Sequence, residues 1–196
     1  SAPPTLRPGR SLPDPVELAR RIREVPPRAP EASWRPPRLD NRWKWIVIHH
    51  SGTFTGNAAI FDRYHAQQKD MENGLAYHFV IGNGTDSGDG AVEVGTRWRQ
   101  QLQGGHVRGD RLNEIAIGIC LVGDFEESIP TEKQIASLKG LLNFLLDVTS
   151  VDENHVRGHK AMAGQRTVCP GTFLPVSDVL RFRKTGSQSG TAQNPE

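Results

Sequence analysis

Seven histidines and two cysteines carry most of the chemistry available to this 196-residue chain. His49 and His50 end a short apolar run, Trp45-Ile-Val-Ile48, and side chains at such a strand end can face a cleft while the strand fixes their position. His159 precedes Cys169 by ten residues, between Gly158 and Gly171. Two imidazoles and a thiolate suit Zn²⁺, which takes nitrogen and sulfur ligands tetrahedrally. Three protein ligands leave a fourth position for water, the arrangement hydrolysis requires. A bound zinc ion also keeps a cysteine deprotonated. Spacing alone is a weak signal, because histidines in a domain of this size usually lie at the surface or in hydrogen bonds.

The elements that must position these residues are legible from periodicity. Trp45–Ile48 reads as a buried strand and Asn57–Asp70 as a helix with Ile60, Phe61 and Tyr64 on one side. Tyr77–Ile81 is a second strand ended by Gly82-Asn-Gly84, and Ala91–Val94 is a short third. Ile115–Val122 is apolar on both faces and reads as the central strand. Thr131–Val148 is an amphipathic helix with the stripe Ile135, Leu138, Leu141, Leu142 and Leu145, opened by a capping box of Thr131 and Gln134. Val176–Arg183 reads as a last helix. Strands interleaved with helices predict an α/β fold, a single domain with a central mixed β-sheet flanked by helices.

Composition bounds the rest. Residues 1–44 hold ten of the fourteen prolines and ten Lys/Arg against five Asp/Glu. They read as a basic, largely extended arm with one short helix at Asp14–Val25 and Trp34 as a candidate anchor. The arm is expected to be dispensable for chemistry on a small soluble substrate. Residues 45–184 form the expected domain, and 185–196 a polar tail. A net charge of +2 does not call for a nucleic-acid partner. Two cysteines make no disulfide framework. No run approaches the ~20 apolar residues of a membrane span. The residues carry no signal peptide, and a start at Ser1 reads as a processed or trimmed form.

Four motifs, in order, resemble those of the type 2 N-acetylmuramoyl-L-alanine amidases, a family that includes the peptidoglycan recognition proteins of animals. They are Ile46-Val-Ile-His-His-Ser-Gly-Thr53, Tyr77-His-Phe-Val-Ile81, Gly105-His106 with Asn113 and Ile117-Gly-Ile-Cys-Leu-Val-Gly123, and Gly158-His159 with Thr167-Val-Cys-Pro-Gly171. The resemblance covers roughly Trp45 to Arg183. It implies a Zn²⁺ enzyme that hydrolyses the amide between the lactyl group of N-acetylmuramic acid and L-alanine in peptidoglycan. By the same resemblance the zinc ligands are His49, His159 and Cys169. His49 is preferred over His50, and period-two alternation also puts the two on opposite faces. Tyr77 matches the tyrosine of catalytically competent members, where its hydroxyl orients water or stabilises an oxyanion. Thr167 sits where relatives carry Lys or Thr and is a second catalytic candidate. His106 is a candidate for lining the substrate cleft.

Two departures stand out. The spacing from His159 to Cys169 is two residues longer than is common in the family, and the loop Ala161–Gln165 is expected to absorb the difference. Cys120 falls where the cytosolic branch carries a catalytic Glu; that branch lacks the tyrosine, so Tyr77 groups this chain with the tyrosine-using enzymes and leaves Cys120 as a core residue. His78 is expected to be structural, and His65 and His155 stay unassigned. The alternative function is a recognition module that binds peptidoglycan without cutting it; such members typically lack the cysteine ligand. The resemblance further implies a monomer that meets a peptidoglycan or muropeptide substrate in the periplasm or after secretion.

Overall fold

The computed structural model describes residues 12–182. Five strands form one mixed sheet: β1 (Trp45–His50), β2 (Phe79–Ile81), β3 (Val92–Val94), β4 (Ala116–Leu121) and β5 (Val156–Gly158), in the order β3-β2-β4-β1-β5. β1 pairs in parallel with β4 and β5, and β2 in parallel with β4; β3 alone runs antiparallel to its neighbour. The two longest apolar runs take the centre, because a strand covered on both faces must be apolar on both. All six residues of β4 are buried. In the parallel register His49 lies beside Cys120 and Ile48 beside Ile119.

Alternation along the central strands sorts their side chains into two layers. Ile46 and Ile48 of β1 and Ile117, Ile119 and Leu121 of β4 join one large core with the helix α5 (Glu132–Val148). The expected stripe of α5 forms the other wall: Ile135, Leu138, Leu141, Leu142 and Leu145 are all buried. Its capping box closes as expected, with the Thr131 side chain accepting from the Gln134 amide and the Gln134 side chain accepting from the Thr131 amide. The intervening positions of the strands, Val47, His49 and Cys120, belong to the opposite layer, which carries the candidate site.

Residue 44 immediately precedes β1 but marks no edge of the packing. The helix α1 (Pro15–Glu24) forms where Asp14 caps it, accepting from the amides of Val16 and Glu17. Its Leu18 and Ile22 are buried in the main core, as are Trp34 and Trp43 from the following proline-rich stretch. The Trp34 carbonyl accepts from the Trp98 indole N–H at 2.6 Å. The basic arm read from composition is therefore a covering layer of the domain from residue 12 onward, and Trp34 is an anchor as expected.

The remaining helices differ from expectation in detail. α2 (Ala58–Gln68) is capped by Asn57. It buries no residue fully, so Ile60 and Tyr64, which share a side in the sequence, are exposed. α3 (Thr96–Arg99), α4 (Asp110–Ile115) and β5 were not anticipated; each is six residues or fewer, too short for a periodicity to register. α6 (Val176–Leu180) is shorter than the predicted Val176–Arg183, whose last residue falls outside the described range, as does the tail at 185–196.

Candidate metal centre

Three side chains converge at the C-terminal end of β1. The ligand-capable atoms of His49, His159 and Cys169 all lie within 4.8 Å of one another. The strand β1 delivers His49. His159 opens a single 3₁₀ turn directly after β5, the strand paired with β1 on its far side. Cys169 returns to them because the Lys160 amide donates to the Cys169 carbonyl at 2.7 Å, closing the loop between the two candidate ligand positions. The Cys169 amide in turn donates to the Thr167 hydroxyl at 3.1 Å.

The donor set fits zinc. A tetrahedral ion with Zn–N about 2.0–2.1 Å and Zn–S about 2.3 Å holds its nitrogen and sulfur about 3.5 Å apart. The His49 Nδ1 to Cys169 Sγ distance is 3.6 Å. Burial holds all three groups in their uncharged forms here: His49 is pushed well below its ordinary value, His159 is lowered, and the Cys169 thiol is pushed up to about 12. Neutral imidazoles are the form that ligates a metal, and the thiol gives up its proton to one.

A chain of hydrogen bonds fixes which nitrogen of His49 is free. His106 Nε2 lies 3.1 Å from the Ala116 carbonyl oxygen, which can only accept, so Nε2 carries the proton. Burial pushes His106 down to about 4, so the ring is neutral and its Nδ1 is an acceptor. His49 Nε2, 3.0 Å away, must then donate, which leaves the lone pair of His49 on Nδ1, the atom facing Cys169. Gly118 and Gly104 make room for this ring: a Cβ at Gly118 would come within 2.4 Å of His106 Cδ2, and one at Gly104 within 2.5 Å. His106, predicted to line the substrate cleft, is buried with both ring nitrogens engaged, and sequence reasoning missed its bond to His49. The motif Gly105-His106 with Asn113 held a signal for it, since Asn113 pins the segment by accepting from the amides of His106 and Val107.

Tyr77 lies beside the cluster, its ring centroid 5.2 Å from that of His49. Burial first, then the nearby thiols of Cys120 and Cys169, push its phenol well above the ordinary value. The phenol therefore stays protonated at neutral pH and is a donor. Cys120 is a buried free thiol on the floor below it. The structure brings together every residue expected to act there: His49, His159, Cys169, Tyr77 and Thr167. It sends His50 elsewhere, since His50 Nδ1 accepts from the Phe125 amide at 3.1 Å. His78 is structural as expected, with Nδ1 accepting from the Gly118 amide and Nε2 donating to the Leu102 carbonyl. His155 packs edge-on against Trp45, and His65 accepts from the Ala76 amide.

Fold and site define an α/β protein built around a candidate three-ligand metal centre. The profile of the N-acetylmuramoyl-L-alanine amidases matches residues 39–172, and the chain belongs to this family. Its relatives include peptidoglycan-recognition protein 2 of Holotrichia diomphalia, 28% identical over 78% of this chain and 76% of the relative. Peptidoglycan-recognition protein SC2 of Drosophila melanogaster is 30% identical over 69% of this chain and 72% of the relative. Among solved structures, the N-acetylmuramoyl-L-alanine amidase LysC from Clostridium intestinale superposes with a TM-score of 0.61 at 26% identity, over 76% of this chain and 90% of that one.

Proposed function

We propose that the protein is a zinc-dependent amidase that hydrolyses the bond between the lactyl group of N-acetylmuramic acid and the L-alanine of the peptidoglycan stem peptide. The observation that carries this reading is the presence of Cys169 in the cluster, with its thiol 3.6 Å from His49 Nδ1. The alternative, a recognition module that binds without cutting, needs neither this sulfur nor Tyr77 beside it. A zinc ion held by His49, His159 and Cys169 supplies Lewis-acid polarisation of the scissile carbonyl and a water acidic near neutral pH.

The side chains of the site supply the rest. Tyr77, protonated and next to the cluster, donates to the oxygen on which negative charge develops as the carbonyl becomes tetrahedral. Thr167 spends its oxygen on the Cys169 amide, which leaves its hydroxyl proton as a second donor. His106 serves through His49, whose free nitrogen it selects. The polymer lies outside the cytoplasmic membrane, so this reading places the protein in the periplasm or among secreted proteins.

The test is incubation of purified peptidoglycan and a soluble muropeptide with the protein, followed by mass spectrometry, alongside metal analysis. The expected result is free stem peptide beginning with L-alanine, lost on chelation and restored by Zn²⁺. His49→Ala, His159→Ala and Cys169→Ala are each expected to lose zinc, while His50→Ala and His155→Ala retain it. Tight binding of intact muropeptide with no cleavage by the zinc-loaded protein would establish the recognition reading instead.

A further inference from the structure

The loop between His159 and Cys169 carries a residue that the amidase reading leaves without a role, Gln165. Gln165 Oε1 lies 3.1 Å from His159 Nε2. The orientation of this amide is set by its other partners. The Arg108 amide donates to Gln165 Oε1 at 2.8 Å, and Gln165 Nε2 donates to the Arg108 carbonyl at 3.0 Å. A backbone N–H can only donate and a carbonyl can only accept, so the two bonds to one residue leave a single way round for the side-chain amide. The atom facing His159 is thus an acceptor. His159 Nε2 must carry the proton, and the lone pair of the ring sits on Nδ1.

We propose that Gln165 is the positioning residue for the second imidazole ligand, holding His159 in the tautomer that presents Nδ1 to the metal. The inference rests on the zinc reading of the site. It makes the two histidine ligands equivalent: His49 is held at Nε2 by His106, and His159 is held at Nε2 by Gln165. Partners of this kind fix the ring's orientation and raise its basicity, and their loss typically costs ~10–100-fold in metal affinity. Gln165 also joins the two supports, because Arg108 lies two residues beyond His106 on the same segment. The loop carries Gln165 into contact with both His159 and Arg108.

Two variants separate the acceptor from the loop tie. Gln165→Leu removes acceptor and donor together. Gln165→Glu keeps an oxygen for His159 Nε2–H and for the Arg108 amide but loses the donor to the Arg108 carbonyl. Zinc affinity is read by competition with a chromophoric chelator, and the tautomer of His159 in the zinc-free protein by long-range ¹⁵N–¹H NMR of the imidazoles. The expected result is a single Nε2–H tautomer in the wild type and in Gln165→Glu, whose zinc affinities agree within a few-fold. Gln165→Leu is expected to show mixed tautomers and ~10–100-fold weaker zinc binding. An unchanged tautomer and affinity in Gln165→Leu overturns the proposal. So does a loss in Gln165→Glu as large as in Gln165→Leu, which would assign the effect to the Arg108 carbonyl tie. If the wild type takes up no zinc, the amidase reading fails instead, and the tautomer readout alone decides the role of Gln165.

Discussion

On the amidase reading, Tyr77 separates metal binding from chemistry more cleanly than any other side chain in the site. It is no candidate ligand, yet its ring lies 5.2 Å from that of His49 and its phenol is held protonated by burial. Replacing its hydroxyl leaves the ring packed and the three ligands untouched. Tyr77→Phe is therefore expected to keep zinc content and melting temperature while turnover falls ~10²-fold, the scale of losing one oxyanion donor. Unchanged turnover on a soluble muropeptide would make Tyr77 a packing residue. The members of the cluster and Tyr77 were legible through the family resemblance, because each sits in a short motif with fixed neighbours; their spacing alone was a weak signal. The bonds that orient the imidazoles were not legible. His49 meets His106 across 57 positions, and the pairing depends on two glycines that clear space for a ring. No local pattern encodes such a meeting; it follows only once β1 and β4 are side by side.

Among the elements, β1, β4 and α5 announced themselves because each buries enough apolar surface to impose its own period on the sequence. β5 did not, since three residues cannot show alternation and its extended form is supported by pairing with β1. The burial of the arm was not legible for a related reason: proline excludes most regular structure but does not exclude burial. Beside that apolar packing, one side chain of α5 supplies a buried polar tie to the arm. Lys139 is fully buried, and its ammonium donates to the carbonyls of Ile22, Arg23 and Val25 at the end of α1, at 2.6, 3.2 and 2.6 Å. A cation is favourable at a helix C-terminus, where carbonyls lack partners within the helix. Lys139→Met keeps much of the apolar stem but leaves those carbonyls without their donor. It is expected to destabilise the protein by ~1–3 kcal/mol in urea unfolding, the cost of stranding buried polar groups. Limited proteolysis is expected to cut first between residues 12 and 28. Wild-type stability in Lys139→Met would mean that the buried Leu18 and Ile22 and the Arg23–Asp178 pair hold α1 in place without it.

The molecule as a whole is built on neutral histidines, and this sets its response to acid. His78 and His106 each have one ring nitrogen donating to a backbone carbonyl, Leu102 and Ala116 respectively, and the other accepting an N–H. Protonating either ring would set two N–H groups against each other in a buried space. Burial lowers both, His78 well below its ordinary value and His106 to about 4. In the unfolded chain both titrate near ~6.5. Below that value the unfolded state takes up protons that the folded state refuses, so stability falls as pH falls and is fully present above it. Each such histidine contributes a slope of about 1.4 kcal/mol per pH unit between the two values. Cys120 and Tyr77 act in the opposite direction: burial raises both, so the folded state loses stability only when the pH climbs past the ordinary thiol and phenol values. The stability plateau is expected to run from about pH 7 to 8. Urea midpoints measured with a chelator present, so that metal release does not contribute, are expected to drop clearly between pH 7.5 and pH 5.5. A midpoint that stays level across that interval would show that His78 and His106 accept protons in the folded state, and that the His106–His49 bond rearranges to allow it.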